Sequence, residues 1–380
     1  MIDQRRLIKA KHLSWVLTGL FLILTACSTM MGLAPVKEST ERISDWLIVP
    51  VFYATNRVRN TDSNAIDYIE QKNDKGLLFG IKNIIIPYPA SPSLAHDTME
   101  HMGWQSIHLQ NPLPPGEVPP ILQEHKMPDQ EFSAAQMVKA FDKYYGITGS
   151  DEAVLFIHGC CATYKTSMER AAKLTVQMGA PVVVYDWVSP IGFTHYLANE
   201  TLAEQSYDDF CKFLDAVAKY VPPANTTLIG HSMGAAFVDE ALVRRFQRTY
   251  GGQVLPKYRE IILSQPDIDA RSYLKHDKHI VSQAEKTRIF MVLDDSRLKA
   301  SSLAHGRFER LGRPGPLLSN LCQLDKQDII DMTITGIGHN LPYNFIASMH
   351  RTGTINEEGY KAIRKEPHLF VLEKTTKIQE

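Results

Sequence analysis

The sequence is poor in cysteine and has no excess of charge of either sign. Five of its 380 residues are cysteine, and 41 lysines and arginines face 42 aspartates and glutamates. The low cysteine count excludes a disulfide-dense scaffold, and the balanced charge argues against a nucleic-acid-binding protein, which needs a basic surface to neutralise phosphates. No CxxC spacing, internal repeat or low-complexity tract occurs. The composition is that of an ordinary globular protein, which excludes disordered and collagen-like classes.

An apolar run near the start, residues 13–26, is too short to span a membrane, which takes about 20 residues. It follows a basic segment, residues 1–12, and ends in Leu-Thr-Ala-Cys at Cys27. A basic segment before a short apolar run is typical of a secretory leader, and its ending resembles a bacterial lipobox. This resemblance implies cleavage before Cys27 and attachment of acyl chains such as palmitate to that residue. An uncleaved N-terminal anchor is the alternative.

Cleavage before Cys27 determines the organisation and location that we expect. Residues 1–26 are the predicted lipoprotein signal peptide, and residues 27–45 are a small, polar tether. The lipid would anchor the mature chain in the bacterial cell envelope, facing the periplasm. Ser28 favours the outer membrane, because an aspartate at that position is the usual signal for retention in the inner membrane.

The body of the chain alternates short β-branched runs with longer helical stretches. Apolar strands separated by helices predict a doubly wound α/β fold, with a mostly parallel sheet covered on both faces. We expect residues 151–350 to form the catalytic core. Residues 46–150 are an N-terminal extension of strands and a connector, and they belong to the same core. Residues 351–380 are treated as a C-terminal tail. Strands are predicted at 47–53, 78–87, 153–158, 181–187, 226–230, 259–265, 287–293 and 330–335, and helices at 165–178, 198–220, 235–250 and 342–349.

A G-x-S-x-G motif, Gly230-His231-Ser232-Met233-Gly234, lies between a predicted strand and a predicted helix. In that setting a sharp turn exposes the serine hydroxyl at the edge of the sheet. Side chains at Gly230 and Gly234 would collide with the adjacent strand and helix, which explains the two glycines. The helix amino terminus also favours developing negative charge. We therefore predict that Ser232 is a nucleophile, with an ordinary tight turn as the alternative.

A nucleophilic serine needs a base and an orienting acid, and in this fold the acid precedes the histidine in the chain. We assign the acid to Asp295, just after a predicted strand, and keep Asp267 after the preceding strand as the alternative. His339 is the predicted base, because it follows the last predicted strand in a loop that Gly336 and Gly338 make adaptable. A surface or helix-capping histidine is the other interpretation of His339. The remaining histidines considered are weaker candidates: His305, His350, and the pair His276 and His279, whose spacing suits a metal but which lack a nearby acid pattern.

The turn His158-Gly159-Cys160-Cys161 follows an early predicted strand and predicts an oxyanion hole. An H-G turn in this position commonly offers a backbone N–H to the substrate carbonyl. We predict that the N–H groups of Cys160 and Met233 are the two donors, and the alternative is that a thiol is itself catalytic. The adjacent cysteines are not expected to bridge each other, because the bond would strain the peptide between them.

Five segments occur in this order: VFYATNR at 51–57, FIHG at 156–159, GHSMG at 230–234, PDID at 266–269, and DSRL at 295–298 with Ser301. Together they resemble an uncharacterised group of bacterial α/β-hydrolase-fold proteins, many of them predicted lipoproteins. The resemblance covers roughly residues 46–345, and it implies esterase-like or lipase-like chemistry without naming a substrate. It also supports Asp295, because a similar Arg and Leu pattern follows the acid in that group. Two segments depart from the group's pattern, Cys160-Cys161 and residues 88–92.

We expect a membrane-anchored serine hydrolase that cleaves a carboxylic ester, from a small ester or an acyl lipid, through an acyl-enzyme. This chemistry needs no metal or organic cofactor. Two alternatives stay open: an acyltransferase with the same three residues, and a catalytically inactive binding lipoprotein with this fold. The long segment 302–327, between acid and base, is either a lid over the site or a rigid surface loop.

Overall fold

The computed structural model describes residues 45–63, 65–88, 129–133, 136, 139–142, 151–192, 195–248, 255–355 and 359–375. The predicted signal peptide, Cys27, nearly all of the tether and most of residues 88–92 lie outside these ranges. Among the described residues no helix is both long enough and apolar enough to cross a membrane.

The bounds of the regular elements are as follows. The strands are β1 (Asp45–Thr55), β2 (Arg57–Arg59), β3 (Tyr68–Lys72), β4 (Leu78–Tyr88), β5 (Gln130–Phe132), β6 (Ala153–Ile157), β7 (Val182–Asp186), β8 (Thr226–His231), β9 (Tyr258–Ser264), β10 (Ala284–Met291), β11 (Gln327–Asp331), β12 (Tyr360–Glu366) and β13 (Leu369–Lys374). The helices are α1 (Tyr164–Met178), α2 (Tyr196–Val217), α3 (Met233–Arg248), α4 (Ala270–Val281), α5 (Ser296–Ala304), α6 (Leu318–Leu321) and α7 (Tyr343–Thr352).

An 11-stranded sheet has the order β12-β13-β11-β10-β9-β8-β6-β7-β1-β4-β5. Every pair from β13 through β11, β10, β9, β8, β6 and β7 to β1 is parallel, whereas β12, β4 and β5 pair antiparallel with their neighbours. Strands β2 and β3 form a separate two-stranded sheet. The predicted mostly parallel α/β architecture is therefore confirmed, and β1 and β4 of the N-terminal block belong to the same sheet as the later strands.

The central strands are apolar throughout because both faces of the sheet are covered. Along β6, Leu155 and Ile157 pack in one apolar cluster and Val154 and Phe156 pack in the other. Successive side chains of a strand point to opposite faces, so each face receives an apolar side chain at every second position. This explains why these strands lack the apolar–polar alternation of a half-exposed sheet.

The structure differs from the sequence analysis in two places near the C-terminus. The strand predicted at 330–335 ends at Asp331, whose carboxylate accepts hydrogen bonds from the Thr333 N–H (2.9 Å) and hydroxyl (2.5 Å) and so forms a turn. The segment treated as a tail, 351–380, contains β12 and β13, and β13 pairs with β11. Leu369 and Leu372 are buried there in different apolar clusters, and the continuous apolar run at 369–372 is the signal that the sequence analysis passed over.

The segment 51–57 ends in a buried charge. Arg57 Nε lies 2.9 Å from Asp186 Oδ2, and both side chains are fully buried. The hydroxyls of Thr55 and Ser167 also donate to the Asp186 carboxylate, at 2.9 and 2.6 Å, and the Arg57 guanidinium donates to the carbonyl of Ala162 at 2.7 Å. A buried charge is tolerated only when it is paired and hydrogen-bonded. This network ties β1 and β7 to the turn that follows β6.

Candidate active site

Ser232 occupies the sharp turn between β8 and α3. Its φ angle of 55° lies in the left-handed region, which costs a residue with a Cβ roughly 1–3 kcal/mol. The surrounding structure compensates, since the Ser232 N–H donates to the carbonyl of Ser264 on β9 at 2.9 Å. The side chain therefore stands above the carboxyl end of the sheet, as expected for a nucleophile elbow.

Close packing around the turn requires glycine at three positions. A Cβ at Gly230 would lie 2.5 Å from the Cα of Ala235 in α3, and one at Gly234 would overlap the carbonyl of Ile157 at the end of β6. These clashes confirm the steric prediction for the two motif glycines. Gly159 meets the same restriction, because its Cβ would lie 2.9 Å from the Cβ of Ser232. The turn after β6 is thus packed directly against the serine.

The structure brings Ser232, His339 and Asp295 into one hydrogen-bonded chain. His339 Nε2 lies 2.9 Å from the Ser232 hydroxyl, and His339 Nδ1 lies 2.6 Å from Asp295 Oδ2. The second oxygen of the Asp295 carboxylate accepts the N–H groups of Arg297 (2.9 Å) and Leu298 (3.0 Å) at the start of α5. Because Asp295 is fully buried and bonded through both oxygens, its orientation towards His339 is fixed.

Asp267, the alternative acid, contacts a different set of side chains. Its carboxylate accepts hydrogen bonds from the hydroxyls of Tyr196 (2.5 Å) and Ser301 (2.6 Å) and lies 3.0 Å from Arg310 Nε. These contacts join α2, α5 and the chain after α5 in a buried polar network. Asp267 makes no hydrogen bond to His339 in the described part of the chain, so the geometry favours Asp295 as the partner of the histidine.

The two predicted oxyanion donors lie on either side of the serine. Met233 is the first residue of α3, and Cys160 follows Gly159 in the turn packed against Ser232. Neither the N–H of Cys160 nor that of Met233 donates to an acceptor within the described ranges. The next N–H, that of Cys161, is already used, because it donates to the Ser189 hydroxyl at 2.6 Å.

Two side chains that sequence reasoning did not assign hold the backbone of the His339 loop. The ring of His231 makes a hydrogen bond of 3.0 Å to the carbonyl of His339, and Gln265 Nε2 donates to the carbonyl of Asn340 at 3.1 Å. The loop itself turns through Gly336 and Gly338, with φ angles of 66° and 59°. His231 could have been found, because it occupies the first variable position of the serine motif.

The other predicted residues are engaged away from the serine. No group of three or more metal-ligating side chains occurs among the residues that the structure describes.

In the segment 302–327, residues 311 and 312 donate backbone hydrogen bonds of 2.8 and 2.9 Å to the chain after β9, which favours a rigid loop for that part. Three of the four remaining histidines pair with carboxylates: His276 with Asp239 (3.0 Å), His305 with Glu200 (2.6 Å) and His350 with Glu152 (3.3 Å). The ring of His279 stacks on that of Phe246, with centroids 4.2 Å apart.

Comparison with known proteins agrees with this architecture. Residues 134–338 match the family described as Alpha/beta hydrolase of unknown function (DUF900). The chain belongs to this family. No curated protein matches this α/β hydrolase.

Two solved structures, one of an esterase and one of an esterase/lipase, are similar to about half of this chain. One is a hyperthermophilic esterase from the archaeon Pyrobaculum calidifontis, with 13% identity, coverage of 54% of this chain and 76% of that chain, and a TM-score of 0.30. Another is an esterase/lipase from an uncultured bacterium, with 14% identity, coverage of 53% and 76%, and a TM-score of 0.30.

His231 is buried and neutral in the folded α/β hydrolase. Burial lowers the pKa of His231 well below its ordinary value, and the nearby side chains of His339 and Arg170 lower it further. In the unfolded chain the residue has an ordinary pKa of about 6.5. Below that pH the unfolded state binds one proton more than the folded state, so the free energy of unfolding falls as the pH falls.

We expect His231→Gln to flatten this decline by up to about 1.4 kcal/mol per pH unit below about pH 6.5. Urea denaturation at several pH values measures the slope. His276→Gln is the matched control. Burial alone would lower the pKa of His276, but its hydrogen bond to Asp239 raises that pKa. The contribution of His276 to the free energy of unfolding therefore changes only above about pH 6.5. Equal slopes for wild type and His231→Gln would contradict the prediction.

Proposed function

We propose that this α/β hydrolase is a serine hydrolase that cleaves a carboxylic ester through an acyl-enzyme on Ser232. The observation that carries the proposal is the continuous chain of hydrogen bonds from the Ser232 hydroxyl through His339 to Asp295, at 2.9 and 2.6 Å. Membership of an α/β hydrolase family supports hydrolytic chemistry of the same general kind.

In this mechanism His339 is the general base. Its Nε2 takes the proton of the Ser232 hydroxyl while the oxygen attacks the ester carbonyl. Asp295 holds His339 in the tautomer with a proton on Nδ1 and stabilises the imidazolium that forms. The imidazolium then protonates the departing alcohol, and water attacks the acyl-enzyme with His339 as base again. Each step reuses the same two hydrogen bonds, so no residue needs to be repositioned.

The negative charge of the tetrahedral intermediate would be stabilised by the N–H groups of Cys160 and Met233. Both groups lie beside Ser232 and make no hydrogen bond to another described residue, which leaves them available to the substrate oxygen. One such donor typically contributes about 3 kcal/mol to stabilising the transition state. The substrate that fits this proposal is a small ester or an acyl lipid.

The nucleophile is tested with a fluorophosphonate probe, which reacts covalently with activated serines. We expect wild type to be labelled and Ser232→Ala to be unlabelled, because the hydroxyl activated by His339 is gone. Ser319→Ala, at an exposed serine in α6, controls for the loss of any serine and should label like wild type. Labelling of neither wild type nor control would overturn the proposal and favour a non-catalytic binding protein.

The acid is tested by comparing two isosteric substitutions. Asp295→Asn should lower kcat by about 10,000-fold, because the amide favours the wrong histidine tautomer. Asp267→Asn should retain kcat in the folded protein but lower the thermal unfolding temperature, because it leaves the buried Arg310 without its counter-charge. Ester hydrolysis and thermal unfolding measured on both variants decide the matter, and wild-type kcat in Asp295→Asn would refute the assignment.

We also propose that the mature enzyme is anchored to the bacterial envelope by lipid on Cys27. The support is the sequence of the leader, which ends in Leu-Thr-Ala-Cys. Cells expressing the full chain should incorporate radiolabelled palmitate into wild type and not into Cys27→Ser, since the thiol that carries the acyl chain is absent. Equal incorporation in both proteins would contradict the proposal.

A further inference from the structure

Two thiols meet in the turn beside the serine. Cys160 and Cys161 are both free and partly exposed, and their sulfur atoms lie 2.9 Å apart, with a hydrogen bond between them. Adjacent residues in extended backbone point their side chains in opposite directions. Here Cys161 has a left-handed φ of 61°, and this conformation lets the two sulfur atoms meet.

The chain after the pair is held from two directions. The N–H of Cys161 donates to the Ser189 hydroxyl at 2.6 Å, and the carbonyl of Ala162 accepts from the buried Arg57 at 2.7 Å. The turn before the pair is packed against Ser232 through Gly159. The thiols are therefore presented by a turn that is anchored on one side by Ser189 and Arg57 and lies against Ser232 on the other.

The two thiols differ in reactivity. The hydrogen bond with Cys160 lowers the pKa of Cys161 to about 7, against the opposing effect of burial, while the same bond raises the pKa of Cys160. Asn199 Nδ2 also donates to the Cys161 sulfur, at 3.8 Å. A thiolate attacks disulfides whereas a thiol does not. The pair thus combines an attacking thiolate with a neighbouring thiol that can resolve a mixed disulfide.

We propose that Cys160 and Cys161 form a reversible vicinal disulfide that switches the hydrolase off. This inference rests on the proposed function, because its effect is exerted through the Cys160 N–H as an oxyanion donor. The oxidant is a low-molecular-weight disulfide. The Cys161 thiolate attacks it, forms a mixed disulfide and releases one thiolate. The thiolate released from the oxidant takes the Cys160 proton. The resulting Cys160 thiolate attacks the Cys161 sulfur of the mixed disulfide and expels the other half of the oxidant as a second thiolate. One molecule of the small disulfide is thus reduced as the cysteine pair is oxidised.

The bond between neighbours is strained, and strain makes the switch reversible. Consecutive Cα atoms are about 3.8 Å apart, whereas a relaxed disulfide joins Cα atoms roughly 4.4–6.8 Å apart. Strained, exposed disulfides are readily reduced and are the ones used in regulation. Closing the bond must bring the sulfur atoms from 2.9 Å to about 2.05 Å. We expect this to twist the peptide between the cysteines, to weaken the hydrogen bond from Cys161 to Ser189 and to shift the Cys160 N–H relative to Ser232.

The test treats the full chain, purified in reduced form, with oxidised glutathione. We expect the peptide containing both cysteines to lose two hydrogen atoms by mass spectrometry. We also expect fluorophosphonate labelling of Ser232 to slow by about 100-fold, the loss of one oxyanion donor, and dithiothreitol to reverse both changes. Cys160→Ser lacks the resolving thiol and should retain one glutathione on Cys161. Cys211→Ser, which removes a buried thiol on α2, should behave like wild type.

Several results would overturn the switch. These are an unchanged peptide mass, a bond from either cysteine to Cys211 or Cys322, or a vicinal bond that leaves the labelling rate unaltered. Failure of the proposed function is distinguishable from these, because reduced wild type would then show no labelling of Ser232 at all. The peptide mass would still decide whether the two cysteines form the bond.

Discussion

The arrangement of the site depends on one steric constraint, the close approach of the β8–α3 turn to the end of β6. Gly234 touches the backbone of β6, and Gly159 touches the side chain of Ser232. Larger residues at these positions would push the two turns apart. Because the turns are pressed together, Ser232 is held in a left-handed conformation that an isolated chain would avoid. The candidate oxyanion donors and the dithiol pair are placed by the same contact.

Buried charges on both sides of this contact are paired, which keeps the surrounding strands in position. On one side Arg57 and Asp186 join β1 and β7 to the turn after β6. On the other side Asp267 and Arg310 join the chain after β9 to the long segment between acid and base. Breaking such a pair leaves an uncompensated charge in the interior, so each pair restricts the chain to one arrangement. The N-terminal block is therefore part of the sheet that supports the site.

The candidate base is positioned through its backbone as well as its ring. His231 and Gln265 bind the carbonyls of His339 and Asn340, while Asp295 binds the ring. Burial holds the pKa of His231 well below its ordinary value, so a neutral ring makes this hydrogen bond. The serine motif thus contains the candidate nucleophile and also a residue that holds the candidate base, which lies 108 positions further along the chain.

Sequence alone determined the α/β class and the order of its main elements, because apolar runs and helical periodicity are local properties. It also pointed to Ser232, Asp295 and His339 through their positions after predicted strands, and their catalytic roles remain a proposal. The sequence preferred Asp295 and left Asp267 as an alternative, since both follow strands; the tertiary structure added their hydrogen-bond partners, which are His339 for Asp295 and Tyr196 for Asp267. The structure likewise showed that β12 and β13 extend the sheet and that the thiols of Cys160 and Cys161 meet. These features depend on backbone angles and on contacts between distant segments, which no local pattern of residues specifies.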